Sequence, residues 1–170
     1  MGIYSRDEIE KILNQYGDTV YRMAFVQVKK HDVAEDIYQD VCMKLLKQNA
    51  YIEPEEHLKA WLLRTAINCC KDYWKSAWVK RLSWKDIEEK DETTDAIVYE
   101  EQDTGYITVC VQKLPEKYRT IIHLYYYEDY SQREIADMLH MNENTVASRL
   151  LRGREKLKNM LNKEADKYEF

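Results

Sequence analysis

Between Asp86 and Asp103 the chain carries nine acidic residues: Asp86, Glu88, Glu89, Asp91, Glu92, Asp95, Glu100, Glu101 and Asp103. They face a single base, Lys90. The stretch lacks helical apolar periodicity and contains Thr93-Thr94 and, just beyond it, Gly105. A segment this acidic and this poor in apolar residues buries too little to offset the entropy of ordering it. Leu82 to Gly105 is therefore read as a partly disordered or loosely structured linker. It separates residues 1–81 from residues 106–170, and each side is long enough for one small domain. The same stretch changes the meaning of the charge. The net charge of -5 argues against a nucleic-acid partner, but the acidic stretch alone contributes -8, which leaves +3 on the rest.

Both flanks read as helical. The whole chain has only four Gly and two Pro, too few for the many turns of a sheet protein. No run approaches the roughly 20 apolar residues that span a bilayer. Met1 to Lys11 is charged and lacks the apolar segment of a signal peptide, so the expected location is the cytoplasm, with no membrane insertion of its own. Cys42, Cys69, Cys70 and Cys110 include no Cys-x-x-Cys pair. Neither a metal site nor a disulfide framework is expected, and the thiols read as small packed hydrophobes. No cofactor motif is present.

Three helices are expected in the first segment. One runs from about Ser5 to Lys30, with Ile9, Ile12, Leu13, Tyr16, Val20, Met23 and Val28 at helical spacing and Gly17 as a possible break. The second starts at Asp32 as N-cap, with Glu35 completing a capping box, and buries Val33, Ile37, Val41 and Leu45. Gln48 to Glu56 forms a loop around Pro54. The third helix runs from about Glu55 to Arg81. Leu58, Leu62, Thr65, Cys69 and Tyr73 form its core face, and Arg64, Asn68, Lys71 and Lys75 share another face. From His57 to Leu82 there are six bases and one acid, with Tyr73, Trp74 and Trp78 among them. Lys and Arg attract phosphates, and aromatic faces stack on unpaired bases. On this helix alone, a solvated basic face with aromatics packed on the first helix fits the pattern equally well.

In the second segment, Ile107, Val109 and Val111 alternate like a strand, so Tyr106 to Gln112 is ambiguous. Pro115 opens a helix at its first turn. Ser131 and Glu134 form a capping box before Ile135, Ala136, Met138 and Leu139. After His140 and Met141, Asn142 caps the last helix, which buries Val146, Leu150, Gly153, Leu157 and Leu161. Its outer face carries Ser148, Arg149, Arg152 and Lys156. From Asn144 to Lys163 there are six bases against one acid. Two capped helices joined by a short turn, the second basic outside, form a helix-turn-helix pattern whose last helix fits the major groove. An ordinary helical hairpin is the plainer alternative.

Several blocks then resemble, in order, the bacterial RNA polymerase sigma factors of the sigma-70 family, in the extracytoplasmic-function (ECF) group. They are Asp32-Val33-Ala34-Glu35-Asp36-Ile37-Tyr38-Gln39-Asp40-Val41, Ala60-Trp61-Leu62-Leu63-Arg64-Thr65-Ala66-Ile67-Asn68, Leu114-Pro115-Glu116-Lys117-Tyr118-Arg119, Tyr130-Ser131-Gln132-Arg133-Glu134-Ile135-Ala136, and Asn144-Thr145-Val146-Ala147-Ser148-Arg149-Leu150. The resemblance implies an all-α protein with a region-2-like domain at 1–81, an acidic linker at 82–105 and a region-4-like helix-turn-helix domain at 106–170. It implies a non-enzymatic role: binding core polymerase, directing it to promoters and helping to open DNA. Asp36, Gln39 and Asp40 would meet core polymerase, where carboxylates can pair with Arg. Arg64, Asn68, Lys71, Trp74 and Lys75 would meet the minus-ten element. Tyr51 would wall a loop pocket for a base flipped from the stack. Asn144, Thr145, Ser148, Arg149, Arg152 and Lys156 would meet the minus-thirty-five element. The implied partners are core RNA polymerase, promoter DNA and an anti-sigma factor. Ala147 departs from the pattern, because many relatives carry Lys or Arg there. The alternating Tyr106–Val111 segment is a second departure, since relatives have helix there.

Three other classes compete. A stand-alone helix-turn-helix regulator leaves the first segment unexplained and lacks a long dimerising heptad seam. A metal-dependent phosphohydrolase would use His31-Asp32, but no further His and Asp have ligand spacing. A sigma mimic without DNA contacts would have no use for the basic faces Arg64 to Lys75 and Arg149 to Lys156.

Overall fold

Ser5 starts the first helix as its spacing predicts. Its Oγ accepts the Glu8 amide at 3.2 Å, and the Glu8 carboxylate accepts the Ser5 amide at 2.7 Å. Helix α1 (Arg6–Val28) ends where Lys29 turns left-handed at φ 61° and donates its N–H to the Phe25 carbonyl. It runs unbroken through Gly17, which is buried; a Cβ there would lie 2.9 Å from the Tyr38 hydroxyl. The glycine makes room for a neighbour and does not break the helix.

The computed structural model of the chain describes residues 2–83 and 105–168. They fall into two compact units, residues 2–83 and residues 105–168. All regular structure among the described residues is helical.

In unit 1, α1 is followed by α2 (His31–Leu46) and α3 (Glu55–Ser83). The capping box expected at Asp32 does not form. The N-cap is Lys30, without a side-chain bond, and the Ala34 amide already bonds the Lys30 carbonyl at 2.9 Å. His31 explains the earlier start: its Nδ1 lies 2.6 Å from the Tyr21 hydroxyl and its ring 4.5 Å from the Phe25 ring. Asp32 therefore sits inside the first turn, where its charge favours the helix dipole. The core combines Val20, Met23, Ala24 and Phe25 of α1, Ala34, Ile37, Val41 and Leu45 of α2, and a broad face of α3. Leu58, Leu62, Thr65 and Cys69 are buried as expected, and Leu63, Ala66, Ile67 and Cys70 join them. Val33 and Tyr73 are only half-buried. Because α3 packs on both α1 and α2, it needs two buried faces where periodicity showed one.

In unit 2 the strand-like alternation of Tyr106–Gln112 is overruled: these residues lie in α4 (Gly105–Lys113). Packing decides it. Cys110, Val111 and Gln112 are buried in sequence, a helical pattern, while Tyr106 and Ile107 stay exposed. The second departure from the family pattern thus disappears. The expected linker also shrinks, since α3 continues through Ser83 and α4 begins at Gly105; the rest of it lies outside the described residues. Pro115 is the N-cap of α5 (Glu116–Tyr126), one position before the expected first turn. Arg119 is 6% exposed, and its guanidinium donates to the carbonyls of Gln112 at 3.1 Å and Leu114 at 3.2 Å. It thereby satisfies acceptors around the end of α4 that the helix leaves open. Helix α6 (Gln132–Leu139) has the expected Ser131–Glu134 capping box, and His140 turns left-handed at its end. Helix α7 (Glu143–Tyr168) buries Val146, Leu150 and Gly153; Leu157 and Leu161 are half-buried. A Cβ at Gly153 would lie 3.1 Å from Ile122, so the glycine sets how closely α7 approaches α5.

Candidate nucleic-acid interface

The α6–turn–α7 corner is built to present the first turns of α7. The His140 N–H returns to the Ala136 carbonyl, and the Met141 amide reaches the same acceptor at 2.9 Å. Asn142 Oδ1 accepts the Asn144 amide at 2.8 Å, so it works as a cap, as its position predicts. Ile135, Ala136 and Met138 on α6 and Val146 and Leu150 on α7 are buried, which fixes α7 by its inner face.

The outer face then gathers what the sequence singled out. Asn144, Thr145, Ser148, Arg149 and Arg152 line one cleft. Asn144, Thr145, Ser148 and Arg152 are exposed; Arg149 is half-buried, its Nη1 3.7 Å from Met141 Sδ. Two residues of this cleft were not foreseen as contacts, Lys117 and Tyr118 of α5. Lys117 and Lys156 place their Nζ atoms 5.0 and 5.8 Å from the Tyr118 ring centroid. Lys156 is thereby tied to the same site. Burial raises the Tyr118 phenol, but hydrogen bonds and charge from Lys117 and Arg152 outweigh it and hold the pKa below its usual value of 10.0. That is the signature of a positive local potential. The available signal was Leu114–Arg119, which reads in sequence only as the opening of a domain. Arg154 belongs elsewhere: it hydrogen-bonds Tyr126 and lies over the Tyr125 and Tyr126 rings. On the Ala147 flank, Ala147 is half-buried and Leu151, one turn on, is 56% exposed, so this side of α7 is apolar.

In unit 1, Asn68, Lys71 and Lys75 are exposed and Arg64 is half-buried along α3. At about 1.5 Å per residue the stripe from Arg64 to Lys75 is about 16 Å long. Trp74 is half-buried, its ring 5.3 Å from that of Tyr73. Trp78 is 63% exposed, and by helical rotation it lies beside Lys71. The freer indole is therefore Trp78, two turns on from Lys71, and not Trp74. Tyr51 stands apart from the stripe. It is 47% exposed and borders a separate cleft with Tyr4, Tyr16, Ile52, Glu53 and Glu55. Asp36, Gln39 and Asp40 are exposed on α2. Met43 is 50% exposed and falls between Gln39 and Asp40 in helical rotation, which adds an apolar group to that acidic face.

The four cysteines are packed side chains. Cys69, Cys70 and Cys110 are buried and Cys42 half-buried. Burial pushes the Cys42, Cys69 and Cys110 thiols up; Lys44, with Nζ 3.6 Å from Cys69 Sγ, only partly opposes it. Raised thiols are poor nucleophiles at neutral pH. Among the described residues no group of three His, Cys, Asp or Glu could hold a metal ion, and no helix is long and apolar enough to cross a membrane.

Comparison with known proteins finds a family match in each unit. Residues 12–79 match the family model for sigma-70 region 2, and residues 104–157 match that for sigma-70, region 4. RNA polymerase sigma factor SigV of Bacillus subtilis is 30% identical over 148 residues, which cover 85% of each chain. ECF RNA polymerase sigma factor SigW of the same organism is 28% identical, covering 92% of this chain and 90% of its own. The solved structure of the sigma factor RpoE with the anti-sigma factor NepR from Bartonella quintana shares the fold. Its TM-score is 0.76 at 23% identity, covering 90% of this chain and 96% of that one. The chain belongs to the sigma-70 family of RNA polymerase sigma factors, in its ECF group. Its members are non-catalytic transcription initiation factors, and this chain is a promoter-directing one.

Proposed function

We propose that the three surfaces divide the work of promoter recognition. The α2 face of Asp36, Gln39 and Asp40, with Met43 among them, docks on core polymerase through charge-assisted pairs around an apolar contact. The α3 stripe of Arg64, Asn68, Lys71 and Lys75, with Trp74 and Trp78, takes the minus-ten strand, and the loop around Tyr51 takes a flipped base. The α7 face of Asn144, Thr145, Ser148, Arg149, Arg152 and Lys156 reads the minus-thirty-five duplex, with Lys117 and Tyr118 at its edge. The working division is a region-2-like unit at 1–81, a linker at 82–105 whose edges α3 and α4 trim to 84–104, and a region-4-like unit at 106–170. The site of action is the cytoplasm, where polymerase and DNA are. An anti-sigma factor is the expected regulator, a reading supported by the solved complex of RpoE with NepR.

The observation that carries this reading is the convergence of Asn144, Thr145, Ser148, Arg149 and Arg152 on one cleft over the exposed start of a capped helix. Short polar groups beside two guanidiniums are the set that reads base edges in a major groove. No ATP motif is needed: unstacking a base costs a few kcal/mol, and stacking returns about 1–3 kcal/mol per base. The test is transcription in vitro with bacterial core polymerase on genomic fragments from the host, with the transcript starts sequenced. Starts sharing two upstream motifs are expected, and Arg149→Glu with Arg152→Glu should abolish dependence on the upstream one. An active core preparation that gives no stimulated starts would overturn the reading.

A further inference from the structure

The residues just before α1 are tied to the loop that carries Tyr51. The Ile3 amide donates to the Gln48 carbonyl at 2.8 Å. The Ile52 amide donates to the Tyr4 hydroxyl at 2.8 Å. The Tyr51 hydroxyl donates to the Ile3 carbonyl at 3.4 Å, and the Tyr4 and Tyr51 rings meet edge to face with centroids 5.0 Å apart. Gly2 closes the other end of this strap. A Cβ there would lie 1.6 Å from the Leu46 carbonyl oxygen, so only glycine allows the two backbones to approach this closely. Ser5, next in sequence, is held as the N-cap of α1. Residues 2–4 therefore bridge a fixed helix end and the loop.

Such a strap answers a physical need. A base-reading side chain must be held to about 0.5 Å, and loops do this less well than helices. Of the ties across residues 48–52, the Tyr4 hydroxyl is the acceptor for a loop amide, and the Tyr4 ring is the brace for Tyr51. We propose that Tyr4 is a positioning residue for promoter selectivity, through which the Gly2–Tyr4 strap holds the Tyr51 loop in the shape that selects one minus-ten base. This rests on the assignment of that loop to the minus-ten element.

The test uses holoenzyme reconstituted from the full chain and bacterial core polymerase. The template is a promoter library randomised across the minus-ten element with a fixed minus-thirty-five element, and transcript counts give the base preference at each position. Tyr51→Ala locates the position the loop reads. Tyr4→Phe keeps the ring contact but leaves the Ile52 amide without its acceptor, and Gly2→Ala pushes the strap off the loop. Both should lower the ratio of best to worst base at that one position by about threefold to tenfold, the size of one lost hydrogen bond. Preference at the other positions should hold. If Tyr51→Ala changes one position while Tyr4→Phe and Gly2→Ala leave it at the wild-type ratio, the strap is overturned and the loop assignment stands. If Tyr51→Ala changes no position, the loop assignment fails and the strap fails with it. A uniform fall in transcription with unchanged ratios would mean that residues 2–4 serve folding alone, and would equally overturn the proposal.

Discussion

Helices α3 and α7 are both long and basic, and each carries a line of candidate contacts, yet they are held differently. Helix α3 is wedged between α1 and α2 and buries Leu62, Leu63, Ala66, Ile67 and Cys70, so what reaches solvent is a narrow stripe of long side chains and indoles. Helix α7 buries a thin seam, Val146, Leu150 and Gly153, and frees a wide face of short polar groups with arginines. A narrow stripe with Trp78 exposed suits a single strand, whose bases stack and whose phosphates follow a line. A wide face at a capped helix start suits a duplex groove. Two basic helices thus present different surfaces, and how much of each is buried, a broad face of α3 against a thin seam of α7, separates them.

The sharpest way to break this comparison is to remove the guanidiniums of α7. Each bidentate arginine–guanine pair is worth about 1–3 kcal/mol. Arg149→Ala with Arg152→Ala is expected to cost about 30-fold or more in transcription from promoters with a minus-thirty-five element. Promoters lacking that element should lose little. An equal loss on both templates would mean that α7 does not read duplex sequence.

The next largest effect belongs to the exposed indole of α3. Trp78→Ala should lose about 1–3 kcal/mol of stacking on an opened strand, and Trp74→Ala should lose less, because that ring is already packed beside Tyr73. Affinity for single-stranded minus-ten oligonucleotides, measured with holoenzyme, separates the two. A larger loss at Trp74 would reverse the assignment. Smaller still is the effect of the exposed lysines. Lys71→Ala and Lys75→Ala should weaken binding uniformly across sequences, and each should flatten the dependence of log affinity on log salt by about 0.7 for a single strand. A change in base preference without a change in slope would make them base contacts.

The legibility of the two regions in sequence differed for the same reason. The α6–α7 corner is legible because its caps are local: Ser131 pairs with Glu134, and Asn142 caps the Asn144 amide two residues on. Helix α4 is not legible because Ile107, Val109 and Val111 alternate, and its packing partners include α7, some thirty residues on. The start of α2 moved because His31 finds Tyr21 and Phe25, six to ten residues back. Tyr118 and Lys117 escaped notice because their place at the α7 cleft depends on Gly153 letting α5 come close. The Gly2–Tyr4 strap joins residues more than forty positions apart, and no local pattern announces it.

The smallest expected effect tests whether the two units are also capped alike. Ser5–Glu8 and Ser131–Glu134 make the same reciprocal bonds, at 2.7 and 3.2 Å in each case. They start helices of very different length, 23 residues in α1 and 8 in α6. Loss of an N-cap hydroxyl costs about 0.5–2 kcal/mol. In α1 fraying of one turn leaves most of the helix packed, whereas in α6 that turn is half the helix. Ser131→Ala should therefore lower the melting temperature of the protein more than Ser5→Ala, and the reverse order would show that cap strength, not helix length, sets the cost. Acid adds a second reading at α1. The bond from the Ser5 backbone amide, then that from its hydroxyl, holds the Glu8 carboxyl below its ordinary 4.5. A folded pKa below the unfolded one means that the stabilisation is complete above that value and disappears as pH falls through the lower, folded pKa. The difference in melting temperature between wild type and Glu8→Ala should be present at pH 7, shrink as the pH drops below 4.5 and vanish once the carboxyl is protonated in both states. A difference that persisted unchanged at that acidity would mean that Glu8 acts through the bulk of its side chain and not through its charge.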